Sequence, residues 1–209
     1  MSWNAVITAD IVNSTKLSAT AIKKLNARIE EVLKPHQHEY YRGDSFQVYI
    51  VDARQALAMI IQLRLLARQF SAGIPRIDSD IRSAIGIGQI KEPVKDLTRA
   101  TDELFILSGR ALDALDQEED RFTMISRNEK ANIALRLIAQ FIDQLIGNMT
   151  MKQAQVVIEL LKGQTQTETA KKLKKTQVTV HRQAHAAGWK SINRLLKEYE
   201  IVLNQFDLS

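Results

Sequence analysis

The chain has 209 residues, 45% of them hydrophobic and 25% charged, with 8 Gly, 3 Pro and no Cys. That profile excludes disordered, collagen-like and low-complexity classes, and the lack of Cys excludes a disulfide framework, a thiolate zinc site and a cysteine nucleophile. The net charge of +5 is unevenly placed: residues 1–147 carry 19 basic and 19 acidic side chains, residues 148–209 carry 10 and 5.

The first apolar segment, Ala5 to Ala9, reads as a strand leading into Asp10 and the turn-forming Asn13-Ser14-Thr15. From Ser18 to Leu33, the residues Ile22, Leu25, Ile29, Val32 and Leu33 follow the helical period, and Pro35 stops the run. Tyr40-Tyr41, then Arg42-Gly43-Asp44-Ser45, then Phe46 to Val51 read as a hairpin around a glycine turn. Ala53 to Phe70 is a helix without a breaker. Ile81 to Ile90 is a strand in which Gly86 and Gly88 permit close backbone approach. A helix over Leu104 to Leu115 and a short strand over Phe122 to Ser126 complete the order βαββαβαβ, and a helix over Asn132 to Ile146 comes next. Only helices follow, so an α/β unit precedes an all-helical one. The longest apolar runs fall far short of a bilayer span, and the opening Met-Ser-Trp-Asn has no basic flank or apolar core. No membrane partner and a cytoplasmic location are expected.

Met151 to Leu161 is an amphipathic helix closed by Gly163 as a C′ residue. Thr165 or Thr167 caps a short second helix through Ala170 and Leu173. After a turn at Lys174-Lys175, Thr176 caps a third helix from Gln177 to Ala187, which Gly188 ends. Small Ala170 suits a helix crossing, and Leu173 and Val180 point into a shared core. The stretch Glu168 to Gln183 resembles the helix-turn-helix of bacterial regulators and of region 4 of sigma factors. It departs from that pattern at Lys174, where Gly is usual, and at Lys175, where an apolar residue is usual. Lys174 must then adopt a left-handed conformation, or the turn must differ. The resemblance implies double-stranded DNA as partner. Thr176, Gln177, Thr179, His181, Arg182 and His185 would lie on or near the reading helix, where Gln and Arg suit adenine and guanine edges. Lys171, Lys172, Lys174 and Lys175 would hold phosphates. Trp189 to Val202 forms a further helix whose apolar stripe either completes the small core or makes a dimer seam. A single unit of this kind binds DNA weakly, so a homodimer on two half-sites is expected.

Near the other end, Asp10 closes the first strand and Asp44 sits in the hairpin turn. Such a pair, with the Ile11 carbonyl as a third oxygen, can hold Mg²⁺ or Mn²⁺. Asn13, Ser14 and Thr15 can offer backbone N–H groups to the phosphate of a nucleotide ligand. The segment Ile7-Thr-Ala-Asp-Ile-Val-Asn-Ser-Thr15, followed by Arg42-Gly-Asp-Ser-Phe46, resembles the metal-binding signature of class III nucleotidyl cyclases. The closest likeness is to cyclase-like, SatD-type bacterial proteins, over roughly residues 4 to 128. By that resemblance the fold is an α+β ferredoxin-like palm, here with a C-terminal all-α helix-turn-helix domain. Where cyclases place a purine-selecting Lys, this chain has Tyr40-Tyr41. Phe105-Ile-Leu-Ser-Gly-Arg110 lacks the Asn of the transition-state pair and leaves Arg110 as the sole counterpart of the Arg. Losing such charge stabilisation costs orders of magnitude in rate, so no catalytic residue is assigned.

The expectation is a cyclase-like domain over 1–128, a connecting helix over 129–147 and a helix-turn-helix domain over 148–209. Its function would be that of a DNA-binding transcriptional regulator with a sensory or dimerisation palm. The competing reading is a nucleotide-binding or nucleotide-processing enzyme related to the cyclases.

Overall fold

The structure is a computed structural model that describes residues 3–41, 43–70, 79–90, 94, 97, 102–115 and 120–208. Arg42 of the hairpin turn and Glu118-Glu119, which the sequence suggests as part of an acidic loop, lie outside the described residues.

Five strands form one sheet in the order β2-β3-β1-β4-β5: β1 is Asn4–Val12, β2 Gln37–Tyr41, β3 Ser45–Ile50, β4 Asp80–Gly88 and β5 Phe122–Ile125. β1 pairs antiparallel with β3 and β4, and β2 with β3, while β4 and β5 run parallel. With the helices α1 (Ala19–Leu33) after β1 and α2 (Ala56–Arg68) after β3, the first four strands make a ferredoxin-like βαββαβ unit. Helix α3 (Glu103–Ala114) then crosses over to add β5. The chain order matches the sequence expectation element by element. β1 extends past the expected Ala9 to Val12 because its last residues pair with Asp80, Ile81 and Arg82 of β4.

Strand alternation explains the two faces of the sheet. Ala5, Ile7, Ala9 and Ile11 join Phe46, Val48, Ile50, Ile81, Ile85 and Ile87 in a buried core with Leu25, Ile29 and Leu33 of α1 and most of α2. On the other face, Val6 packs with Leu104 and Phe105 of α3. Asp10 lies on that second face, in register with Ser45 and Arg82.

Helix α4 (Glu129–Gly147) starts at Asn128, whose side chain caps Ala131 N–H, three residues before the periodic apolar pattern begins. Four helices follow: α5 (Met151–Leu161), α6 (Gln166–Lys172), α7 (Gln177–Ala186) and α8 (Trp189–Gln205). The main core runs on into them, through Leu135, Ile138 and Ile142 of α4, Ala154 and Val157 of α5, and Ile192, Tyr199, Val202 and Leu203 of α8. The α8 stripe is therefore used inside the molecule. Trp3 Nε1–H donates to the Leu203 carbonyl at 2.7 Å, and Tyr199 O–H to the Ala53 carbonyl at 2.9 Å. Among the described residues, no helix is long and apolar enough to cross a membrane.

Candidate functional sites: the β1 cleft and the exposed helix α7

Asp10, Ile11, Asn13, Ser14, Thr15 and Asp44 all line one cleft of about 340 Å³, together with Arg82 and Arg121. Local geometry brings them there. β1 gives way after Val12 to Asn13, held left-handed at φ 58, a conformation Asn tolerates better than most residues. A 3₁₀ turn over Ser14–Lys16 follows. The β2–β3 hairpin turns at Gly43, φ 83, where a glycine suits the left-handed position. Its tip is fastened to β1 twice: Ile11 N–H donates to the Asp44 carbonyl at 3.1 Å, and the Ser14 hydroxyl to Asp44 Oδ2 at 2.7 Å.

The arginines went unremarked in the sequence reading. Arg82 stands directly opposite Asp10 on β4 and grips it with two bonds, Nη2 to Oδ2 at 2.5 Å and Nε to Oδ1 at 3.2 Å. The only sequence signal would have been the strand register, which is fixed 72 residues away. A divalent ion fits this donor set poorly, because both carboxylates are engaged within the chain, Asp10 by both oxygens with the Arg82 guanidinium and Asp44 with the Ser14 hydroxyl. Among the described residues, no group of three His, Asp or Glu side chains is arranged to hold a metal. Of the residues marking departures from the cyclase pattern, Tyr40 stacks against Phe46 at a centroid distance of 5.9 Å, while Arg110 is exposed.

Deeper under the sheet edge, fully buried Arg64 of α2 bonds bidentately to Asp80 of β4 at 3.0 and 2.9 Å and meets Asp143 of α4 at 2.6 Å. Burial opposes its charge, but the two carboxylates more than offset this and hold its pKa above the ordinary value. Asp143 also accepts from Arg121 N–H at 2.7 Å, which ties the rim of the cleft to this buried group.

The second cluster lies on α5 to α7. Val156, Leu160, Ala170, Val180 and Ala184 make a small core, with Leu173 and Trp189 packed against it. Capping sets each helix start. Thr150 with Gln153 and Thr165 with Glu168 form capping boxes, and Thr176 accepts from Thr179 N–H. Thr165 rather than Thr167 therefore caps α6. At the end of α5, Gly163 takes φ 81, with Gly163 N–H bonded to the Leu160 carbonyl and Gln164 N–H to the Glu159 carbonyl. The end of α6 repeats that geometry without glycine. Lys174 takes φ 53, its N–H donates to the Lys171 carbonyl, and Lys175 N–H donates to the Ala170 carbonyl at 2.9 Å.

On α7, Val180 and Ala184 are buried, as is Ala187 at its C-cap. Thr176, Gln177, Val178, Thr179, His181, Arg182 and His185 are exposed. Several of these side chains are already engaged. The Thr176 and Thr179 hydroxyls bond each other at 2.8 Å, and His181 Nδ1 lies 3.3 Å from Gln166 Oε1. Gln177, Arg182 and His185 have no side-chain hydrogen bond or ion pair among the described residues. Of the lysines, Lys171 and Lys174 are exposed and Lys175 is half-buried, whereas Lys172 pairs with nearly buried Glu159 at 2.6 Å. Burial pushes the Glu159 carboxyl up, but Lys172 and Lys162 overcome it and hold the group below the usual carboxylate range.

No family model matches this chain, and no curated protein matches it. Among solved structures, it is similar to the active GGEEF domain of a diguanylate cyclase from Vibrio cholerae, at 11% identity and a TM-score of 0.44 over 58% of this chain and 81% of that one. It is also similar to a bacterial light-regulated adenylyl cyclase, at 12% identity and a TM-score of 0.37 over 59% of this chain and 75% of that one.

Proposed function

We propose that the chain is a DNA-binding regulator in which α6 and α7 form a helix-turn-helix, α7 reads the major groove, and the cyclase-like palm pairs two copies or senses a ligand. The observation that carries this reading is the exposure of α7. A helix of ten residues that buries only one narrow side presents Gln177, Arg182 and His185 outward, and all three can donate to base edges. Lys171, Lys174 and Lys175 stand at the turn just before it, where phosphate contacts set register. Lys172 contributes less to DNA because Glu159 holds it.

A homodimer belongs to this reading. The α8 stripe is spent internally, and the exposed apolar row Ile133, Leu137 and Phe141 on α4 is the surface on which to look for pairing. The nucleotide-ligand reading is favoured by one observation, the convergence of Asp10, Asn13, Ser14, Thr15 and Asp44 on one cleft. No catalytic role is assigned there, and incubation with ATP or GTP plus Mn²⁺ should yield no cyclic product.

The deciding measurement is a titration of the full chain on a duplex from upstream of its own coding region and on a random duplex of equal length, between 50 and 200 mM salt. The expected result is a negative salt slope of about 0.9 per phosphate neutralised. Arg182→Ala should weaken the specific duplex by about 1–3 kcal/mol and the random one far less. Equal binding by wild type and Arg182→Ala with no salt slope would end the DNA reading.

A further inference from the structure

We propose that the Arg82 guanidinium is the resident cation of the β1 cleft, standing where a divalent metal would otherwise sit, so that the cleft works without metal. The argument begins with the sheet. Register places Asp10 and Arg82 opposite each other on neighbouring antiparallel strands and on the same face, so their meeting is built into the backbone. Both Asp10 oxygens are taken, at 2.5 and 3.2 Å, and the two side chains are only about one-fifth exposed.

Asp44 is held as well, through one carboxylate oxygen and its carbonyl. Its carboxylate accepts from the Ser14 hydroxyl and its main-chain carbonyl from Ile11 N–H, which fixes the hairpin tip against β1. Arg121 lines the same cleft, so two aspartates face two arginines and their formal charges cancel. A divalent ion entering would have to displace the Arg82 guanidinium, bonded to both Asp10 oxygens, and meet its repulsion. Mg²⁺ also demands near-octahedral oxygen ligands at about 2.0–2.1 Å, which a carboxylate clamped by Arg cannot turn to supply. The guanidinium is tethered to β4 by its own side chain, so this cation cannot diffuse out of the cleft as a bound ion can.

Asp10, Ile11 and Asp44 line the same cleft, and the cation that meets Asp10 there is a side chain. Removing the guanidinium should therefore create a metal site from Asp10, Asp44 and the Ile11 carbonyl. This inference stands whether or not the chain binds DNA.

The test is a Mn²⁺ titration of the full chain, followed by the electron paramagnetic resonance of free Mn²⁺. It uses wild type, Asp10→Asn, Arg82→Ala, Arg82→Gln and the double variant Asp10→Asn/Arg82→Ala. Arg82→Ala should bind one Mn²⁺ about tenfold or more tightly than wild type, and the double variant should lose that gain. Arg82→Gln keeps a polar end without the charge and carries the test if the alanine variant does not fold. A readout on wild type needs no variant at all: the Arg82 Nε–H resonance should be protected from exchange and unbroadened by stoichiometric Mn²⁺. The proposal is overturned if wild type binds Mn²⁺ in a way that Asp10→Asn abolishes, if Mn²⁺ broadens the Arg82 resonance, or if a folded Arg82 variant gains no affinity.

Discussion

Lys174 occupies a backbone position that disfavours it. A left-handed L-residue costs roughly 1–2 kcal/mol, yet Lys174 at φ 53 closes α6 with the same pair of bonds that Gly163 uses to close α5. Lys174→Gly is therefore expected to raise stability by about 1 kcal/mol, seen as a melting temperature about 2–4 °C higher. If Lys174 also holds a phosphate, the same variant should bind DNA more weakly and with a shallower salt slope, so a gain in one assay accompanies a loss in the other. The departure from the glycine pattern was visible in the sequence and raised the left-handed lysine as one of two outcomes. Arg82 was not visible in that way, since nothing near it in sequence distinguishes it from any other strand arginine. Its role comes from a partner reached only when β1 and β4 pair. The same holds for Lys172, which reads as one of four equivalent lysines until Glu159 is seen beneath it.

At the scale of elements, apolar periodicity and turn residues sufficed to recover the βαββαβαβ order, because α1 and α3 bury one stripe, α2 is an unbroken apolar run buried nearly all round, and most strands alternate. What they could not supply was the far end of β1 or the start of α4, which depend on cross-strand pairing and on the Asn128 cap. Gly86 shows how a strand glycine can serve its neighbour. A Cβ built there would stand 3.0 Å from the Leu104 carbonyl, 3.2 Å from Leu104 Cδ1 and 3.3 Å from Ser108 Cβ, so α3 packs on β4 at a distance that glycine permits. Gly86→Ala would gain about 0.4–1 kcal/mol by restricting the unfolded chain, but overpacking costs about 1–3 kcal/mol. Since two of the three crowding atoms belong to Leu104, one of them main-chain carbonyl, the crowding should win. Chemical denaturation should show a lower midpoint with an unchanged slope.

For the whole molecule, the continuity of the core across the sheet, α4, α5 and α8 is the main fact that sequence reading missed. The composition break near residue 147 is a break in charge, and charge is a property of the surface. The buried Arg64 crosses the interior between Asp80 and Asp143 and so ties α2, β4 and α4 together. Arg64→Leu should lower stability by about 3–5 kcal/mol, because it leaves two poorly solvated carboxylates, Asp80 with only Arg68 for a cation, at 3.5 Å, and Asp143 with the Arg121 N–H at 2.7 Å. Adding Asp80→Asn and Asp143→Asn should recover part of that loss in a thermal melt.

The bonds from Trp3 to Leu203 and from Tyr199 to Ala53 also bear on the order of events during synthesis. The first strand of the sheet leaves the ribosome long before the helix that meets its start, so the palm must wait with part of its apolar surface open until α8 has emerged. That delay makes α8 a timing element as well as a packing one: a nascent chain stalled before α8 is released would keep the surface around Trp3 and Ala53 open to chaperones and proteases.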